Sequence, residues 1–505
     1  MPVTASGVGH LQRRREAKQA KDAQGMMTRH VDIAIIGAGT AGMGAYRTAT
    51  KHTDSVVLIE GDQYGTTCAR VGCMPSKLLI AAADAAHEIA KAPGFGVHVD
   101  GNVRIDGREV MDRVRRERDR FVSFVVEAVE GWPEDNRIMG RAKFLDDHTL
   151  ELDNGDRVVA ERIVIATGSR PVYPNQFEAA GDRLVINDDV FDWDDLPGSV
   201  AVFGGGIIGL ELGQALHRLG VRMRLFGKFG DVGPLSDPDV KQSALEAFQA
   251  EFPFDPDSNV TAIERQGDSV SISFTNADGR ETSEHFDYLL AATGRRANVD
   301  SLALENTSLE LDDKGIPVFD RYTMQAGDSH IFIAGDVTGD VPLLHEASDG
   351  GRIAGDNAGR FPDIRTGLRR APLSIMFTDP NIATVGHSYG ELDGLQCDYA
   401  IGQVDFGGQG RSRVMLVNHG LLRVYGEYGT GLFLGAEMAG PRMEHIAHLL
   451  AWAYQQRMTV SQMLDMPYYH PVIEEGLRSA LRDLNAKLHA GPEGPRGCLD
   501  CGPGG

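Results

Sequence analysis

Five cysteines occur in the 505 residues, and two of them, Cys68 and Cys73, stand with four residues between them at the head of an apolar run ending at Ile80. A Cys-x-x-x-x-Cys pair at a helix start can close a disulfide across one turn. The helix N-terminus also lowers the thiol pKa and favours the reactive thiolate. The pair alone fits a redox-active couple, a structural disulfide or two buried thiols; in a reducing cytosol, catalytic disulfides are the usual kind. A second candidate is His470, followed by Pro471 and, five residues on, by Glu475. Proline in the second position fits a helix start, which leaves His470 on the preceding loop and Glu475 within the first turns. An imidazole oriented by a carboxylate exchanges protons near neutral pH. Cys498 and Cys501 form a Cys-x-x-Cys on a Gly- and Pro-rich end, open as a thiol relay, a metal site or an adventitious pair. Cys397 has no partner in sequence and reads as structural.

The elements that must position these groups begin with a strand at Val31 to Ile36, running into Gly37, Gly39 and Gly42 and then a small-residue helix through Ala49. Glycines in a GxGxxG turn allow the sharp bend, close approach to a pyrophosphate and packing of helix on sheet, with the helix N-terminus facing the phosphates. The next strand, Ser55 to Ile59, ends at Glu60, eighteen residues past Gly42, near the spacing of a carboxylate that holds a ribose hydroxyl. The pattern repeats: Val200 to Phe203 is a strand, Gly204, Gly206 and Gly209 follow, and a helix runs through Leu219. Two such units imply two dinucleotides. The second departs from the first, because the position eighteen residues past Gly209 is Gly227, with Lys228 next and Arg222 and Arg224 nearby. Losing the carboxylate removes a ribose hydrogen bond and a repulsion against a 2′-phosphate. The three cations also fit a solvated face.

Between and after these units, the periodicity predicts a long amphipathic helix over Arg108 to Glu130 and hairpin strands over Phe144 to Val159 about an Asn-Gly turn. A buried strand, Arg162 to Ala166, leads into Thr167 and Gly168. Leu289 to Arg296 ends a strand in a turn at Gly294, and His330 to Ala334 precedes Gly335 and Asp336, an Asp placed to accept from a polyhydroxyl chain or to cap a turn. Leu344 to Arg360 reads as a small-residue helix. From Pro372 the character shifts to strands at Ser374–Phe377, Ala383–Val385, Arg413–Val417, Leu421–Tyr425 and Gly431–Met438, then helices at Arg442–Arg457 and Glu474–His489. Strands followed by helices indicate a separate α+β unit.

The length requires three or four packed units. A net charge of −22 and an isoelectric point near 5.1 make nucleic acid and anionic membrane poor partners. No apolar run reaches membrane-span length, and few, odd-numbered cysteines argue against a secreted disulfide framework. A cytoplasmic enzyme fits. The first thirty residues, with Arg13, Arg14, Arg15, Lys18 and Lys21, lack a secretory apolar core and are expected to be disordered.

The sequence Ala69-Arg-Val-Gly-Cys-Met-Pro-Ser-Lys77 after the first cysteine closely resembles the redox motif of the flavin-dependent pyridine nucleotide-disulfide oxidoreductases. The segments at Thr167, Gly294, Asp336, Phe377–Gly386 and His470 resemble further motifs of that family in the same order. The resemblance implies an α/β chain of two Rossmann-like domains plus a C-terminal α+β dimerisation domain. Its expected divisions are a 1–30 extension, an FAD-binding domain at 31–197 completed by the central segment 298–365, an NAD(P)-binding domain at 198–297, a dimerisation domain at 366–490 and a tail at 491–505.

By the same resemblance Cys73 is the flavin-proximal thiol and Cys68 the one that exchanges with substrate. Lys77 and Glu211 form an ion pair beside the flavin, and His470 with Glu475 serves the cysteines of a partner subunit in a homodimer. The cofactor-binding set is Gly37, Gly39, Gly42, Glu60, Thr67, Lys77, Thr167, Gly168 and Asp336 for FAD, with Gly204, Gly206, Gly209, Lys228 and Gly294 for NAD(P); no metal site is expected. The implied reaction is oxidation of a small dithiol, foremost dihydrolipoamide, with NAD. That substrate could be carried on a lipoyl domain of a 2-oxo acid dehydrogenase complex. The alternative is NADPH-driven reduction of a disulfide or mercuric ion.

Overall fold

The computed structural model describes residues 19–21, 26–276 and 278–490; most of the 1–30 extension and the whole Cys498–Cys501 tail lie outside the described residues, and where the extension is described the expected disorder fails, because the first strand already begins at Met27 and Gln19–Lys21 pairs antiparallel with it. The chain forms two units. One consists of residues up to 67, 122–170 and 296–369. The other consists of 68–121, 171–295 and the chain from 370 onward.

In the first unit a sheet takes the order Arg137–Met139, Val56–Glu60, Met27–Ile36, Arg157–Ile165, Thr149–Leu152, Ala142–Phe144. Ile331–Ile333 pairs parallel to Arg157–Ile165. The central strands are apolar on both faces, as parallel strands covered on both sides must be, and Ile33, Ile35, Leu58 and Ile163 are fully buried. The separate strands expected at the end of the hairpin and at Arg162 are one continuous strand, Arg157–Ile165. Its first residues pair antiparallel with Thr149–Leu152, and almost its whole length pairs parallel with Met27–Ile36. The small-residue helix Leu344–Arg360 packs against the helix Thr40–Ala49, where a Cβ on Gly351 would lie 2.1 Å from the Ala41 carbonyl oxygen and one on Gly355 would lie 2.2 Å from that of Ala45. Only glycine permits that approach.

The second unit holds a parallel sheet ordered Phe254–Asp255, Arg222–Phe226, Ser199–Phe203, Tyr288–Ala291, Leu184–Ile186. A three-stranded antiparallel sheet, Asn259–Gln266, Ser269–Thr275 and Glu281–Phe286, is inserted before its fifth and last strand in chain order, Tyr288–Ala291. A five-stranded antiparallel sheet follows: Leu373–Met376, Asn381–Gly386, Phe433–Gly440, Leu421–Glu427, Tyr399–Asp405, covered by the helices Met443–Gln455 and Glu475–Ala490.

Two expectations in this region fail. Arg413–Val417 is not a strand: Gly410–Val414 is helical because the Gln409 side chain caps the Ser412 N–H at 2.7 Å and the buried Ser412 hydroxyl donates back to the Phe406 carbonyl. The strand at that point in the sheet is Tyr399–Asp405 instead. The last helix begins at Glu475, so Pro471 lies in the loop before it rather than in its first turn.

Candidate active site

Cys68 lies on the short helix Thr67–Val71, and Cys73 opens the helix Cys73–Lys91. Pro75 is tolerated there because the first-turn N–H groups of a helix have no intrahelical acceptor. Leu79, Ile80 and Ala83 share one buried face, packed in a core with Leu210, Leu212 and Val202, and this anchors the helix while its N-terminus stays accessible. Cys68 is half-buried and Cys73 exposed. The two thiols are coupled. A hydrogen bond from Cys68 and then the charge of Lys77, one turn on, pull the Cys73 thiol down to about 7 against partial desolvation, and the same bond followed by burial pushes Cys68 up. Cys73 is thus the thiolate of the pair and Cys68 the thiol that donates to it.

Lys77 Nζ donates to Glu211 Oε2 at 2.6 Å. Glu211 lies on the helix Ile207–Arg218 that follows the second glycine turn, with a side chain only 4 % exposed. Its other oxygen accepts the Phe377 N–H at 2.8 Å, and the Phe377 ring lies under the Lys77 ammonium, 4.8 Å from ring centroid to nitrogen. The same helix face continues through Gln214, which exchanges hydrogen bonds with the Asp379 backbone at 2.8 and 2.7 Å, and Arg218, which reaches the Asp379 carboxylate at 3.1 Å. Glu211, Gln214 and Arg218 repeat at i, i+3 and i+7, so three polar side chains on one stripe clamp the segment Phe377–Asp379. Burial disfavours the Asp379 anion, yet a hydrogen bond with His419 and the charges of Lys91 and Arg218 hold it far below the usual carboxylate range. Sequence reasoning recognised Phe377–Gly386 only as the entry of another domain. The missed signal was three polar residues on the inward stripe of an otherwise apolar helix.

His470 forms a second cluster with Glu475, its Nδ1 lying 3.0 and 3.1 Å from the two carboxylate oxygens. Glu475 also accepts the Val472 N–H at 3.2 Å, and the histidine followed by that N–H lowers its pKa. Being held at Nδ1 leaves Nε2 of an 81 % exposed imidazole free to face a substrate.

The two glycine turns have the same anatomy. In the first, Gly37 has φ +105° and an added Cβ would lie 2.3 Å from the Ala166 carbonyl oxygen; on Gly42 it would lie 1.8 Å from that of Gly37. In the second, Gly204 has φ +124° and a Cβ there would meet the Ala292 oxygen at 2.2 Å, while one on Gly209 would meet that of Gly204 at 2.0 Å. Gly39 and Gly206, the N-caps of the two helices, face open space with nothing within 4 Å. Each helix thus begins at a glycine with open space beside it, so its N-terminal N–H groups can be approached closely, which fits a bound pyrophosphate. Glu60 closes the first turn, accepting the Ala38 N–H at 2.8 Å and the Asp62 N–H at 3.1 Å.

Thr67 is exposed at the head of its short helix. Thr167 is clamped to Asn298 by reciprocal bonds of 2.7 and 3.0 Å, and the Gly168 carbonyl accepts the Asn298 N–H. Asp336 accepts from Ser169 Oγ at 2.9 Å at the start of a turn. Gly294, with φ +127°, accepts the Val172 N–H. Lys228 is exposed at the end of Arg222–Phe226. Arg222 and Arg224 are not free beside it, because both pair with Glu284. Among the described residues no cluster of three or more His, Cys, Asp or Glu could hold a metal ion, and no helix is long and apolar enough to cross a membrane.

The pyridine nucleotide-disulphide oxidoreductase family profile matches residues 31–351, and that of its dimerisation domain matches 373–481. The chain is similar to the dihydrolipoyl dehydrogenase of Haloferax volcanii, with 29 % identity over 477 residues, 91 % of this chain and 97 % of that one. It is also similar to the dihydrolipoyl dehydrogenase of Bacillus subtilis, with 28 % identity over 470 residues and 91 % and 100 % coverage. The mercuric reductase of Shigella flexneri is 30 % identical over 466 residues, covering 90 % of this chain and 80 % of that protein. Among solved structures, LpdA of Mycobacterium tuberculosis superposes with a TM-score of 0.76 at 24 % identity, covering 90 % of this chain and 99 % of that one. The HOCl-induced flavoprotein disulfide reductase RclA of Escherichia coli superposes with a TM-score of 0.74 at 21 % identity and the same coverage. At that identity these two establish the fold.

Proposed function

The chain belongs to the pyridine nucleotide-disulphide oxidoreductase family, and we propose that it oxidises dihydrolipoamide or a closely related small dithiol through Cys68 and Cys73. It is a flavoprotein oxidoreductase that uses FAD and NAD(P), and its dimerisation domain makes it a homodimer. When bound, FAD carries the electron pair between sulfur and the nicotinamide. The first glycine turn with Glu60, Thr167, Gly168 and Asp336 would hold FAD, and the second turn with Lys228 and Gly294 would hold the nicotinamide nucleotide.

The observation that carries the reading is Cys73: a thiol lowered to about 7 at a helix N-terminus, beside a Lys77–Glu211 pair, with a second thiol hydrogen-bonded to it. In the oxidised enzyme a substrate thiolate attacks Cys68, the bond between Cys68 and Cys73 breaks, and Cys73 departs as a thiolate. A low-pKa thiol leaves fastest, and the Lys77 charge favours it. His470 takes the proton of the second substrate thiol, which then attacks the mixed disulfide. Substrate leaves as a disulfide, Cys68 is released and recovers the proton from His470, and one electron pair rests on the cysteines. Glu475 fixes the imidazole at Nδ1 so that Nε2 moves the proton.

We assign the working histidine to the partner subunit's His470, reaching across the dimer. Exposed Trp452, Met466 and Tyr469 lie in the same C-terminal region and supply apolar surface for that contact. The acidic charge and sparse cysteines support a cytoplasmic setting, and a lipoyl domain of a 2-oxo acid dehydrogenase complex is the proposed carrier of the dithiol.

The second reading, reduction of a disulfide or mercuric ion by NADPH, is supported by the likeness to the Shigella flexneri mercuric reductase. A steady-state assay separates them. Rapid reduction of NAD by dihydrolipoamide supports the first reading. No turnover there, with NADPH-dependent reduction of glutathione disulfide or mercuric ion, replaces it with the second.

A further inference from the structure

We propose that Gln214 is a positioning residue for the sulfur chemistry: its buried amide fixes the Phe377 N–H on Glu211 and so sets how far the Lys77 charge acts on Cys73. The inference rests on the reading that Cys73 is the working thiolate. Gln214 lies one turn past Glu211 on the helix Ile207–Arg218 and is 3 % exposed. Its side chain exchanges two hydrogen bonds with the backbone of Asp379. Oε1 accepts the Asp379 N–H at 2.8 Å, and Nε2 donates to the Asp379 carbonyl at 2.7 Å. Nε2 also donates to Glu251 Oε2 at 2.7 Å, so both ends of the amide are occupied. A reciprocal pair of bonds to one residue fixes the register of the chain, as a hydrogen-bonded pair does in an antiparallel sheet. That register puts the Phe377 N–H 2.8 Å from Glu211 Oε1 and the Phe377 ring against Lys77.

Glu211 is where the clamp meets the chemistry, its Oε2 accepting from Lys77 at 2.6 Å and its Oε1 from Phe377. Around Cys73 the charges oppose one another. Lys77 favours the thiolate and Glu211 disfavours it, beside the Cys68 hydrogen bond and partial burial. The Phe377 N–H disperses part of the Glu211 charge, as a donor to an ionised oxygen does. Freed of that donor, the carboxylate pairs more fully with Lys77, and less positive charge is left to favour the thiolate. The ion pairs nearby do not replace Gln214. Arg218 and Lys91 hold the Asp379 carboxylate at 3.1 and 3.0 Å, with His87 and His419 at 3.9 and 3.7 Å from it, and all four act on the side chain of that residue. Without the Gln214 amide, the Asp379 N–H and carbonyl lose these partners, and the cost of leaving them unpaired drives the segment toward water.

The test follows iodoacetamide alkylation of the reduced, FAD-loaded dimer against pH. Cys73 is read apart from Cys68 by mass spectrometry, because trypsin cuts at Arg70, between them. The native midpoint is expected at about 7. Gln214→Met is expected to raise it by about half a pH unit, less than the loss of a directly adjacent charge. Gln214→Glu keeps the acceptor for the Asp379 N–H, so it is expected to move the midpoint less in the same direction, and it carries the test if the methionine variant does not fold. Phe248→Leu truncates a fully buried ring of the same core and is expected to lower the urea midpoint while leaving the Cys73 midpoint unmoved. An unmoved Cys73 midpoint in the folded Gln214 variants, or an equal rise in Phe248→Leu, would overturn the role of Gln214 while leaving the thiolate standing. A native midpoint at the ordinary thiol value, about 8.5, would overturn the thiolate reading and this inference together.

Discussion

The two glycine turns share a backbone and differ in what surrounds it. The first is closed by Glu60, whose carboxylate is tied to two backbone N–H groups, and its helix turns a small-residue face to the glycines of Leu344–Arg360. The second is closed by Gly227 against the Pro256 backbone, and its helix carries Glu211, Gln214 and Arg218 on one stripe. One scaffold thus serves two purposes. The first helix is built for close backbone packing against Leu344–Arg360, whereas the second also grips the segment Phe377–Asp379 beside Lys77. The nucleotide turn and the sulfur chemistry are joined through Glu211.

The sharpest way to break the comparison is to fill each turn separately. Gly42→Val places a Cβ where the Gly37 oxygen lies, and the purified protein is expected to lack the visible flavin spectrum. Gly209→Val should retain that spectrum yet lose more than about 100-fold in NAD(P)-linked turnover, since ångström-scale misplacement of a reactant costs that much. If both variants lost flavin, the two turns would not be independent.

Gly227→Glu tests whether the missing carboxylate is a matter of space. Overpacking against backbone is expected to destabilise the protein by about 1–3 kcal/mol, read from the shift in urea midpoint. Gly206→Ala, at a position open to 4 Å, should leave that midpoint nearly unchanged while weakening nucleotide binding.

Lys77→Met probes the link between the second helix and the cysteines. The Lys77 charge favours the Cys73 thiolate, so removing it must raise the midpoint from about 7, by roughly one pH unit. Iodoacetamide alkylation of the reduced enzyme, followed against pH, should then be slower below the new midpoint and unchanged well above it. An unmoved midpoint would show that the Cys68 hydrogen bond and the helix N-terminus lower the thiol without Lys77.

Phe377→Ala removes the ring beneath Lys77 but keeps the backbone bond to Glu211. Exposed cation–π contacts are worth about 0.5–1 kcal/mol, so the same titration should move by less than about one unit.

Much of this was legible in one dimension. The cysteine spacing, both GxGxxG turns and the His470–Glu475 spacing depend on local geometry, in which a few consecutive residues dictate a turn, a helix start or a cap. Glu60 and Gly227 could be matched by counting, because strand and helix lengths in such a unit vary little. The misplaced strand at Arg413–Val417 failed for the opposite reason: a short apolar run carries no period, and a Gln409 side-chain cap with a buried Ser412 hydroxyl settled it as helix.

The sequence by itself determined which residues can do redox chemistry and which turns can cradle phosphates. Only the tertiary structure decided that Arg222 and Arg224 share Glu284 while Lys228 has no ion-pair partner among the described residues, and that Phe377 and Asp379 lie across the helix bearing Glu211. Those facts depend on contacts between residues 60 to 166 positions apart, and no local propensity encodes which distant charge reaches which partner.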